Sequence, residues 1–416
     1  MFILAATRTP FCKMGTDLAA LTADELGRSA VSALLTQTGI DPGELSEVIL
    51  GCVAQPTEAA NIARVIALRA GIPQHVPAVT VHRNCASGME SVTSAHQRIA
   101  AGQGDLFIVG GVESMTHIPL LFPHEAALHF ADLNRAKSSG QKLSAAASFN
   151  LSDFKPRVGL ELGLTDPYTG LIMGDTAEIL AREFNITREA QDKFAASSHT
   201  KALAHRAELN SEISPVYTNG KAITEDNGIR TDSTPEKLAT LRPIFDRSIG
   251  SVTAGNSSQI TDGAVALLVG TGEAAKRLGI EPLGRLAAYA YSGCDPARMG
   301  LGPVHAIAKA KHLSGLTPDD ADIIEINEAF AAQVLAVLAS LKDPTTHHLD
   351  IPSFDIPLEK LNQRGGSIAL GHPVGATGAR LILTALDQLK VTNQKRALAT
   401  LCIGGGQGAA LYLERA

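Results

Sequence analysis

Two patterns of apolar and polar positions alternate along most of the chain. Alanine-rich segments with helical spacing are followed by short Val/Ile/Leu-rich segments that end in glycine, in the first 118 residues and again after about residue 250. This alternation predicts helices and strands in turn, which is an α/β architecture. At 416 residues the chain is too long for one hydrophobic core, so we expect two or three domains.

The apolar periodicity weakens between Pro119 and about Arg247. The stretch LNRAKSSGQKLSAAASFNLSDFKPRVG is polar in composition, and the helix-like stretch MGDTAEILAREFNITREAQDKFAASSHTKALAHRA follows it. A polar excursion of this length between two α/β blocks indicates an inserted subdomain.

A cysteine stands where a predicted strand gives way to a predicted helix. The strand is AVTV, rich in β-branched residues, and the helix is SGMESVTSAHQRIAAG, which stops at Gly102, so Cys85 is predicted to lie in the turn between them. Backbone N–H groups and the positive end of the helix dipole in such a turn stabilise a thiolate. Cys85 is therefore a candidate nucleophile, and the alternative is a thiol that only packs as a small apolar group.

The two α/β blocks show a weak internal repeat. In the first, NCASGMES leads through a helix to AAGQGDLFIVGG, and in the second, GHPVGATGARLILTALDQLK leads to RALATLCIGGGQGAALYLE. If both halves repeat one fold, their matching turns converge and Cys85, His372 and Cys402 meet at one site. The alternative is that α/β chains are repetitive in general.

His372 and Cys402 lie in glycine-rich surroundings suited to catalysis. His372 precedes a helix in GGSIALGHPVGATGAR, where an imidazole can be held in one orientation as a base or can serve as a structural hydrogen-bonding group. Cys402 follows the predicted strand ALATL and precedes a three-glycine turn whose N–H groups can reach an oxyanion. The alternative for Cys402 is again a packed thiol.

Asn327 and Glu328 lie where the predicted strand of ADIIEINEAFAAQVLA becomes a helix. The amide of Asn327 can cap that helix, or it can hold a water or a substrate oxygen. The glycines of GGSIALGHPVGATG match neither the GxGxxG pattern directly after a strand nor the Walker pattern, so a dinucleotide loop is not predicted.

Composition argues against several classes of function. The net charge of −6 comes without a basic domain, which argues against a nucleic-acid partner. The odd number of cysteines, without CxxC spacing, argues against a zinc cluster or a disulfide framework and fits a reducing cytoplasm; they are at positions 12, 52, 85, 294 and 402. We expect the N-terminal MFILAATRTP to be a strand rather than a signal peptide, no apolar run long enough to span a membrane, and no peroxisomal address in LYLERA.

Six motifs occur in the order of the signature segments of one family: NCASG, MGDTAE, TAGNSSQITDGAVALL, NEAFAAQ, GGSIALGHPVGATGAR and CIGGGQGAA. Over nearly its whole length the chain resembles the thiolases. The resemblance implies an α/β thiolase fold, in which two repeated βαβαβαββ halves form a five-layered αβαβα arrangement with an inserted loop domain. The implied boundaries are 1–118 for the N-terminal half, completed by about 248–272, then 119–247 for the loop domain and 273–416 for the C-terminal half.

The resemblance also implies a mechanism. Cys85 attacks the 3-keto carbon of a 3-ketoacyl-CoA, and carbon–carbon cleavage leaves the enolate of acetyl-CoA. His372 and a water held by Asn327 stabilise the enolate, and His372 helps to keep Cys85 ionised. Cys402 protonates the enolate and then deprotonates incoming CoA, while the N–H groups of Cys85 and Gly404 hold the oxyanion of the second step.

Coenzyme A is implied as a co-substrate, with no permanently bound cofactor and no metal. Arg230 is expected near the adenine and phosphates, although it can also be an ordinary solvated charge. Ser258 is expected near the pantetheine, and three apolar side chains along the pantetheine or acyl slot, namely Met173, Met299 and Phe330.

The predicted function is that of a 3-ketoacyl-CoA thiolase of fatty-acid β-oxidation. The alternatives are a biosynthetic acetoacetyl-CoA thiolase and a non-catalytic CoA or acyl-lipid binding protein on the same scaffold. We expect a homodimer or homotetramer. Two segments are most similar to thiolase subunits of trifunctional complexes, namely DLNRAKSSGQKLS and LEKLNQRGGS, and this similarity implies a hydratase/dehydrogenase partner. Those subunits usually carry His in place of Asn327 and a CAAGG-like turn in place of CIGGG. At these two positions the chain is similar to stand-alone thiolases instead.

The segment from Pro119 to about Gly170 is predicted to influence acyl-chain length or docking rather than chemistry. It concentrates aromatic residues in a chain that has only 4% of them, namely Phe122, Phe130, Phe154 and Tyr168. These side chains can line an acyl tunnel or form the subdomain's own small core. They can also meet a partner subunit or a membrane surface alongside three cations, Arg135, Lys137 and Lys142.

Overall fold

The computed structural model describes residues 1–345 and 351–416. The strands found in these ranges are β1 (Phe2–Arg8), β2 (Cys12–Lys13), β3 (Glu47–Gly51), β4 (Ala78–Val81), β5 (Leu106–Ser114), β6 (Leu120–Leu121), β7 (Arg157–Val158), β8 (Val216–Thr218), β9 (Lys221–Ile223), β10 (Thr261–Gly270), β11 (Gly284–Gly293), β12 (Ile323–Ile326), β13 (Arg396–Ile403) and β14 (Gln407–Arg415).

The α-helices in the same ranges are α1 (Ala23–Thr38), α2 (Ile62–Arg69), α3 (Ser87–Ala100), α4 (His124–Arg135), α5 (Ser139–Ala147), α6 (Gly159–Gly163), α7 (Met173–Glu183), α8 (Arg188–Ala204), α9 (Arg206–Ser211), α10 (Pro235–Ala239), α11 (Gly272–Leu278), α12 (Gly302–Ser314), α13 (Ala331–Lys342), α14 (Ser367–Leu370) and α15 (Val374–Thr392). None of the helices in the described part of the chain is long and apolar enough to cross a membrane.

The large strands form one continuous sheet in the order β12-β13-β14-β11-β1-β10-β5-β3-β4, with β2 paired to β10. Two half-sheets meet where β1 and β11 pair, and only Phe2 with Arg285 and Ile3 with Gly284 make that ladder. Within the N-terminal half β3 runs parallel to β4 and β5, and within the C-terminal half β12 runs parallel to β13. The short ladder lets the two half-sheets turn relative to each other and stack on helices.

Three apolar cores divide the stacked halves into layers. One core joins α1 and α2 to the outer face of the N-terminal strands, and another joins α12 and α13 to the outer face of the C-terminal strands. The third contains α3 and α15 together with inward-facing residues of both half-sheets. Helices, sheet, helices, sheet and helices give the five layers, and the predicted fold class is confirmed.

The central helices α3 and α15 cross at very close range. A Cβ atom on Gly88 would lie 2.7 Å from the backbone nitrogen of Ala379, and one on Gly378 would lie 2.7 Å from the backbone nitrogen of Met89. Only glycine fits at such a crossing, because no side chain then separates the two backbones. The crossing brings together the N-terminal ends of both helices, the ends next to Cys85 and His372.

The two repeats are not equally complete. The N-terminal half runs β1, α1, β3, α2, β4, α3, β5 and β10, which is the predicted βαβαβαββ order. In the described part of the C-terminal half the counterpart of β4 is reduced to one parallel bridge between Ile324 and Leu361. The segment before α14 contains Pro352 and Pro357, which lack a backbone N–H and suit an irregular path.

The region between β5 and β10 is anchored by buried charges. Arg8 of β1 donates to Glu212 at 2.8 Å and to Asp226 at 2.7 Å, and Arg364 of the C-terminal half lies 3.7 Å from the same Glu212. All of these side chains are almost fully buried. Removing one partner of such a group leaves a buried unpaired charge, at a cost of about 3 to 5 kcal/mol. The anchor therefore holds this region against both halves.

The aromatic residues of the 119–170 segment pack mainly on one another. Phe130 contacts Phe122 and Phe149, and Phe149 stacks on Phe154, with ring centroids 4.8 to 5.7 Å apart. Tyr168 stands apart and is 86% exposed. Phe122, Phe130 and Phe154 stay 40 to 56% exposed, so their contacts form an aromatic cluster at the surface rather than a closed core. None of them lines the two cavities described below.

Candidate active site

Cys85 lies in the turn between β4 and α3, as the sequence predicts. The preceding residue, Asn84, has a φ of 43°, a conformation that asparagine tolerates better than most residues. Its amide Nδ2 donates to the carbonyl of Gly404 at 2.7 Å, and its own carbonyl accepts from the hydroxyl of Ser87 at 2.7 Å. The turn is thus held from its own helix and from the opposite half, which fixes the sulfur in place.

The electrostatics around Cys85 differ from the expected thiolate. Loss of hydration at the sulfur raises the pKa of the thiol, and the negative charge of Glu113 raises it further. The backbone N–H groups of Gly404 and of Cys85 itself lower the pKa, but they do not outweigh burial. The N–H donors predicted at the helix terminus are present, but the loss of hydration has the larger effect on the pKa of Cys85. Cys85 rests as a thiol, so its reaction requires a base.

His372 can be that base because its free nitrogen carries no proton. The Thr377 hydroxyl donates to the Pro373 carbonyl at 3.0 Å and therefore accepts from Nδ1–H of His372 at 2.7 Å. Nε2 is left as the unprotonated nitrogen; it is buried and has no hydrogen-bond partner among residues 1–345 and 351–416. Burial, aided by the Arg380 charge, lowers the pKa of His372 to about 3. The side chain is thus a neutral, oriented acceptor.

Cys402 lies within β13, one residue before its end, rather than after the strand. Its side chain is 1% exposed, and burial together with negative charge at Cys85 raises the pKa of its thiol. Gly405 and Gly406 follow with φ of 87° and 79°, and a Cβ on Gly406 would lie 2.5 Å from the carbonyl oxygen of Cys294. This turn needs glycine, and it presents the backbone of Gly404 next to the sulfur of Cys85.

Asn327 directly follows β12 and is buried next to β13, the strand that carries Cys402. Its backbone N–H donates to Thr400 of β13 at 3.0 Å, and its Oδ1 accepts from the hydroxyl of Ser367 at 2.6 Å. The amide Nδ2 is buried without a partner. Phe330, not Asn327, is the cap of α13, so the capping interpretation is wrong. An unpaired buried donor fits the alternative, a group that holds a water or a substrate oxygen.

Glu328 has a different environment from its neighbour. Its carboxylate accepts from Ser198 at 2.6 Å, from Asn362 at 2.8 Å and from the backbone N–H of Ile368 at 3.2 Å. All of these donors are buried, and the carboxylate does not line a described cavity. Glu328 therefore joins α8, α14 and the segment after β12.

One cavity of about 640 Å³ gathers most of the predicted site. Four of the five candidate catalytic residues line it, and Asn327 lies outside its wall; the four are Cys85, His372, Cys402 and Gly404. All five candidate CoA-binding residues line it as well, namely Met173, Arg230, Ser258, Met299 and Phe330. Several of these pack together, since Met173, Met299 and Phe330 share one apolar cluster with Cys402.

The polar side of this cavity carries two cations. Arg230 is exposed but lines the cavity, and its backbone N–H donates to Nδ1 of His199 at 3.2 Å. Lys13 lines the same cavity, and burial together with the Arg230 charge lowers its pKa. Two like charges held this close favour an anionic ligand between them. The place of Arg230 on the cavity wall is the one that its predicted contact with phosphate groups requires.

Sequence reasoning missed several lining residues. Lys13, Phe245 and Gln259 are the most informative. Gln259 accepts from the backbone N–H of His372 at 3.1 Å through its own carbonyl, and its Nε2 donates to Gly228 and Ile368. Gln259 lies inside the motif TAGNSSQITDG and could have been found there. Lys13 and Phe245 belong to no local pattern, and only the folded chain brings them to the site.

A second cavity of about 430 Å³ reaches Cys85 from another side. It is closed by residues within 159–167. The two cavities share seven lining residues, namely Cys85, Met115, Leu160, Leu164, Met173, Val374 and Gly404. Its wall is largely apolar; the side chains there include Val53, Met115, Ile118, Leu160, Leu162 and Leu164. The residues of the 119–170 segment in this wall include leucines of α6 and its neighbours, and Phe122, Phe130, Phe154 and Tyr168 are not part of it. An influence of the segment on acyl-chain length stays a prediction.

Comparison with known proteins agrees with this geometry. Residues 1–273 match the family model "Thiolase, N-terminal domain", and residues 280–415 match "Thiolase, C-terminal domain". The chain is 39% identical to a probable acetyl-CoA acyltransferase of Staphylococcus aureus (strain MRSA252), and 38% identical to an acetyl-CoA acetyltransferase of Cupriavidus necator; both alignments cover 99% of this chain and 98% of the relative.

Solved structures are similar over the whole chain. The crystal structure of the Bacillus anthracis acetyl-CoA acetyltransferase superposes with a TM-score of 0.88 at 37% identity. That of human mitochondrial 3-ketoacyl-CoA thiolase in complex with CoA superposes with a TM-score of 0.87 at 35% identity. Each covers 100% of this chain and 98% of the other.

Proposed function

The chain belongs to the thiolase family of acyltransferases, and we propose that within it the protein is a 3-ketoacyl-CoA thiolase that acts in the degradative direction. The observation that supports this most is the meeting of two cavities at Cys85. The first offers Lys13 and Arg230 to an anionic ligand such as CoA. The second is lined by leucines and other apolar side chains together with polar groups such as His82 and Asp166, and an acyl chain longer than that of acetoacetyl-CoA has room to extend along its apolar side.

In the first half-reaction, we assign the nucleophile to Cys85 and the base to His372. The thiol gives its proton to Nε2 of His372 as the sulfur–carbon bond forms at the 3-keto carbon. The resulting alkoxide collapses, the bond between carbons 2 and 3 breaks, and its electron pair remains on the acetyl-CoA enolate. The imidazolium of His372 and the free amide of Asn327 stabilise the enolate oxygen, directly or through a water.

Cys402 completes both half-reactions as a proton carrier. Its thiol protonates carbon 2 of the enolate, and acetyl-CoA leaves. The Cys402 thiolate then removes the proton of incoming CoA, whose sulfur attacks the acyl-Cys85 thioester. The N–H groups of Cys85 and Gly404 hold the oxyanion, and the departing Cys85 sulfur recovers its proton from His372. The raised pKa of Cys402 supports this role, since a buried thiol is a protonated donor at rest.

The alternatives are separated by specific observations. A biosynthetic acetoacetyl-CoA thiolase needs the same catalytic groups, and two of the similar proteins are named acetyl-CoA acetyltransferases. It has no use for the second cavity, which therefore favours longer acyl chains. A non-catalytic binding protein needs neither the unprotonated Nε2 of His372 nor two thiols in one cavity.

We also infer that the protein uses CoA as a co-substrate without a permanent cofactor, that it forms a homo-oligomer and that it is located in the cytoplasm. A hydratase/dehydrogenase partner and a β-oxidation role remain predictions from the middle segment. The family-model boundaries at 273 and 280 support a C-terminal half that begins near 273, and the change in packing after β5 supports a loop domain from about 119 to 247, with 248–272 returning to the N-terminal half.

Chain-length preference tests the proposed function. Rates of thiolysis should be measured for 3-ketoacyl-CoA substrates with 4 and with 16 carbons, in the wild type and in Leu162→Trp, which narrows only the second cavity. We expect activity on both substrates in the wild type and a loss of about tenfold on the long one in the variant, equivalent to about 1.4 kcal/mol of transition-state stabilisation.

Leu143→Trp is the matched control. Leu143 is likewise an exposed leucine in a helix of the same segment, and it lines neither cavity. It should leave both rates unchanged. A wild type that cleaves only the four-carbon substrate would overturn the degradative proposal, and an equal loss on both substrates in Leu162→Trp would remove the second cavity from the acyl path.

A further inference from the structure

Glu113 is a fully buried carboxylate that none of the proposed steps uses. It lies on β5, and the backbone N–H groups of Val53, Ala54 and Gly375 each donate to it at 3.0 Å. The thiol of Cys52 also points to it at 3.7 Å. All of these partners are donors, so only an acceptor fits among them. The carboxylate joins the loop after β3, in the N-terminal half, to the first turn of α15, in the C-terminal half.

The contact between these halves has no room for adjustment. A Cβ on Gly111 would lie 2.0 Å from the carbonyl oxygen of Gly375, and one on Gly375 would lie 2.9 Å from the Glu113 carboxylate. Two backbones and a carboxylate are therefore packed directly together. The position of the first turn of α15 is thus set by β5, and Glu113 is the polar group that holds it there.

That first turn carries the groups that orient the base. His372 lies two residues before α15, and its Nδ1 is held by Thr377 within the same turn. The loop after β3 is held by both carboxylate oxygens, since Val53 donates to Oε2 and Ala54 to Oε1. A Cβ on Gly51 at the end of β3 would lie 2.4 Å from the backbone of Ser87 in α3. The side bearing Cys85 and the side bearing His372 are therefore tied to one carboxylate.

We propose that Glu113 is a positioning residue of the thiolase reaction, whose carboxylate sets the His372 imidazole against the Cys85 sulfur by hydrogen bonding the first turn of α15 and the loop after β3 together. This inference rests on the proposed roles of Cys85 and His372. It does not depend on acyl-chain length or on the direction of the reaction.

The charge of Glu113 supplies a second, independent signature. Burial raises the pKa of Glu113 to about 7 against the effect of its three backbone donors, and its negative charge raises the pKa of Cys85. Several titratable groups surround this pair: Cys52 faces Glu113, while Cys402 and His372 line the cavity with Cys85. Removing the charge alone should make the Cys85 thiolate easier to form.

Glu113→Gln and Glu113→Asp separate position from charge. Glutamine keeps the length, but its amide NH₂ faces donors; aspartate keeps the charge, but it is too short to reach both sides. We expect kcat for acetoacetyl-CoA thiolysis to fall about 100-fold in both, because small misplacements of catalytic groups have effects of this size. The KM for CoA should stay within about threefold of the wild type, since Arg230 and Lys13 do not contact Glu113.

Alkylation of Cys85 by iodoacetamide, followed by peptide mass spectrometry across pH, gives the readout that a merely structural role would not move. The midpoint should shift to lower pH in Glu113→Gln and stay in place in Glu113→Asp. Glu178→Gln is the matched control, since Glu178 is also buried and also accepts from backbone N–H groups, those of Ser251 and Val252. It should lower stability without moving the midpoint.

Each remaining outcome overturns the inference. An unshifted midpoint in Glu113→Gln, or a kcat close to that of the wild type in either variant, would show that the carboxylate does not position the site. Failure of both variants to fold would assign Glu113 to the fold alone. Because the assay uses acetoacetyl-CoA and direct alkylation, a failed chain-length prediction would leave this result intact.

Discussion

Replacing Thr377 with valine should inactivate the base while preserving the shape of the site. Valine places a methyl group where threonine has its hydroxyl, so the side chain keeps nearly the same volume and loses only the polar group. In the wild type that hydroxyl accepts from Nδ1–H of His372 at 2.7 Å and donates to the carbonyl of Pro373 at 3.0 Å. Without it, a buried N–H loses its acceptor, at a cost of about 1 to 3 kcal/mol.

Loss of this hydrogen bond changes which nitrogen of the imidazole carries the proton. The tautomer protonated at Nε2 becomes the more stable one, and a protonated Nε2 cannot accept the proton of Cys85. A tautomer preference of about 1 to 3 kcal/mol reduces the fraction of competent base by about fivefold to about 150-fold. The rate of Cys85 acylation should fall by the same factor, while substrate affinity changes little.

Thr377→Ser is the matched control, because it keeps the hydroxyl and removes one methyl group, at a cost of about 1 kcal/mol in stability. Single-turnover acylation of Cys85 by acetoacetyl-CoA, quenched and followed by mass spectrometry, measures the step directly. Serine should acylate at nearly the wild-type rate. Equal acylation rates in the valine and serine variants would refute the assignment of Nε2 as the proton acceptor.

Three further results are expected. Cys85→Ala should abolish both thiolysis and acyl-enzyme formation because the covalent step loses its nucleophile, and mass spectrometry after incubation with acyl-CoA would contradict this if an adduct appeared on Cys402 instead. Cys402→Ala should still accept an acyl group on Cys85 from a reactive donor while complete turnover collapses; equal loss of labelling in both variants would make Cys402 structural. The free energy of unfolding should fall from pH 6.5 to pH 5, because the pKa of His372 is about 3 in the fold and about 6.5 in the unfolded chain, which then binds the extra proton. His372→Gln should remove about 2 kcal/mol of that fall in urea titrations, and parallel curves for variant and wild type would show that the imidazole is not held neutral.

Local sequence patterns are enough to predict the turns in which the main catalytic groups lie. β-Branched residues before Cys85 and helical spacing after it predict a strand-to-helix turn, and the structure has that turn. Three glycines after Cys402 predict a tight turn, and the positive φ of Gly405 and Gly406 shows why other residues would be strained there. These features depend on chain neighbours only, so they can be recognised without knowing what packs against them. The six ordered motifs are likewise read from the sequence alone, and they predict the family and its fold.

Tertiary structure alone decided the protonation states and the shape of the cavities. Cys85 was expected to be ionised, yet its pKa is raised, because desolvation depends on atoms brought from both halves of the chain. The neutral state of His372 likewise comes from burial and from Arg380. The proposed positioning role of Glu113 depends on its contact with Gly375, which is 262 positions away in the sequence. The second cavity is lined by leucines near α6, whereas composition indicates the aromatic residues as candidates for an acyl tunnel. Composition shows which side chains are present, but packing decides which of them face a cavity. In the described part of the C-terminal repeat, the third strand is reduced to a single bridge, and this too depends on tertiary packing: pattern predicts which segments can pair, and the folded chain decides which of them do.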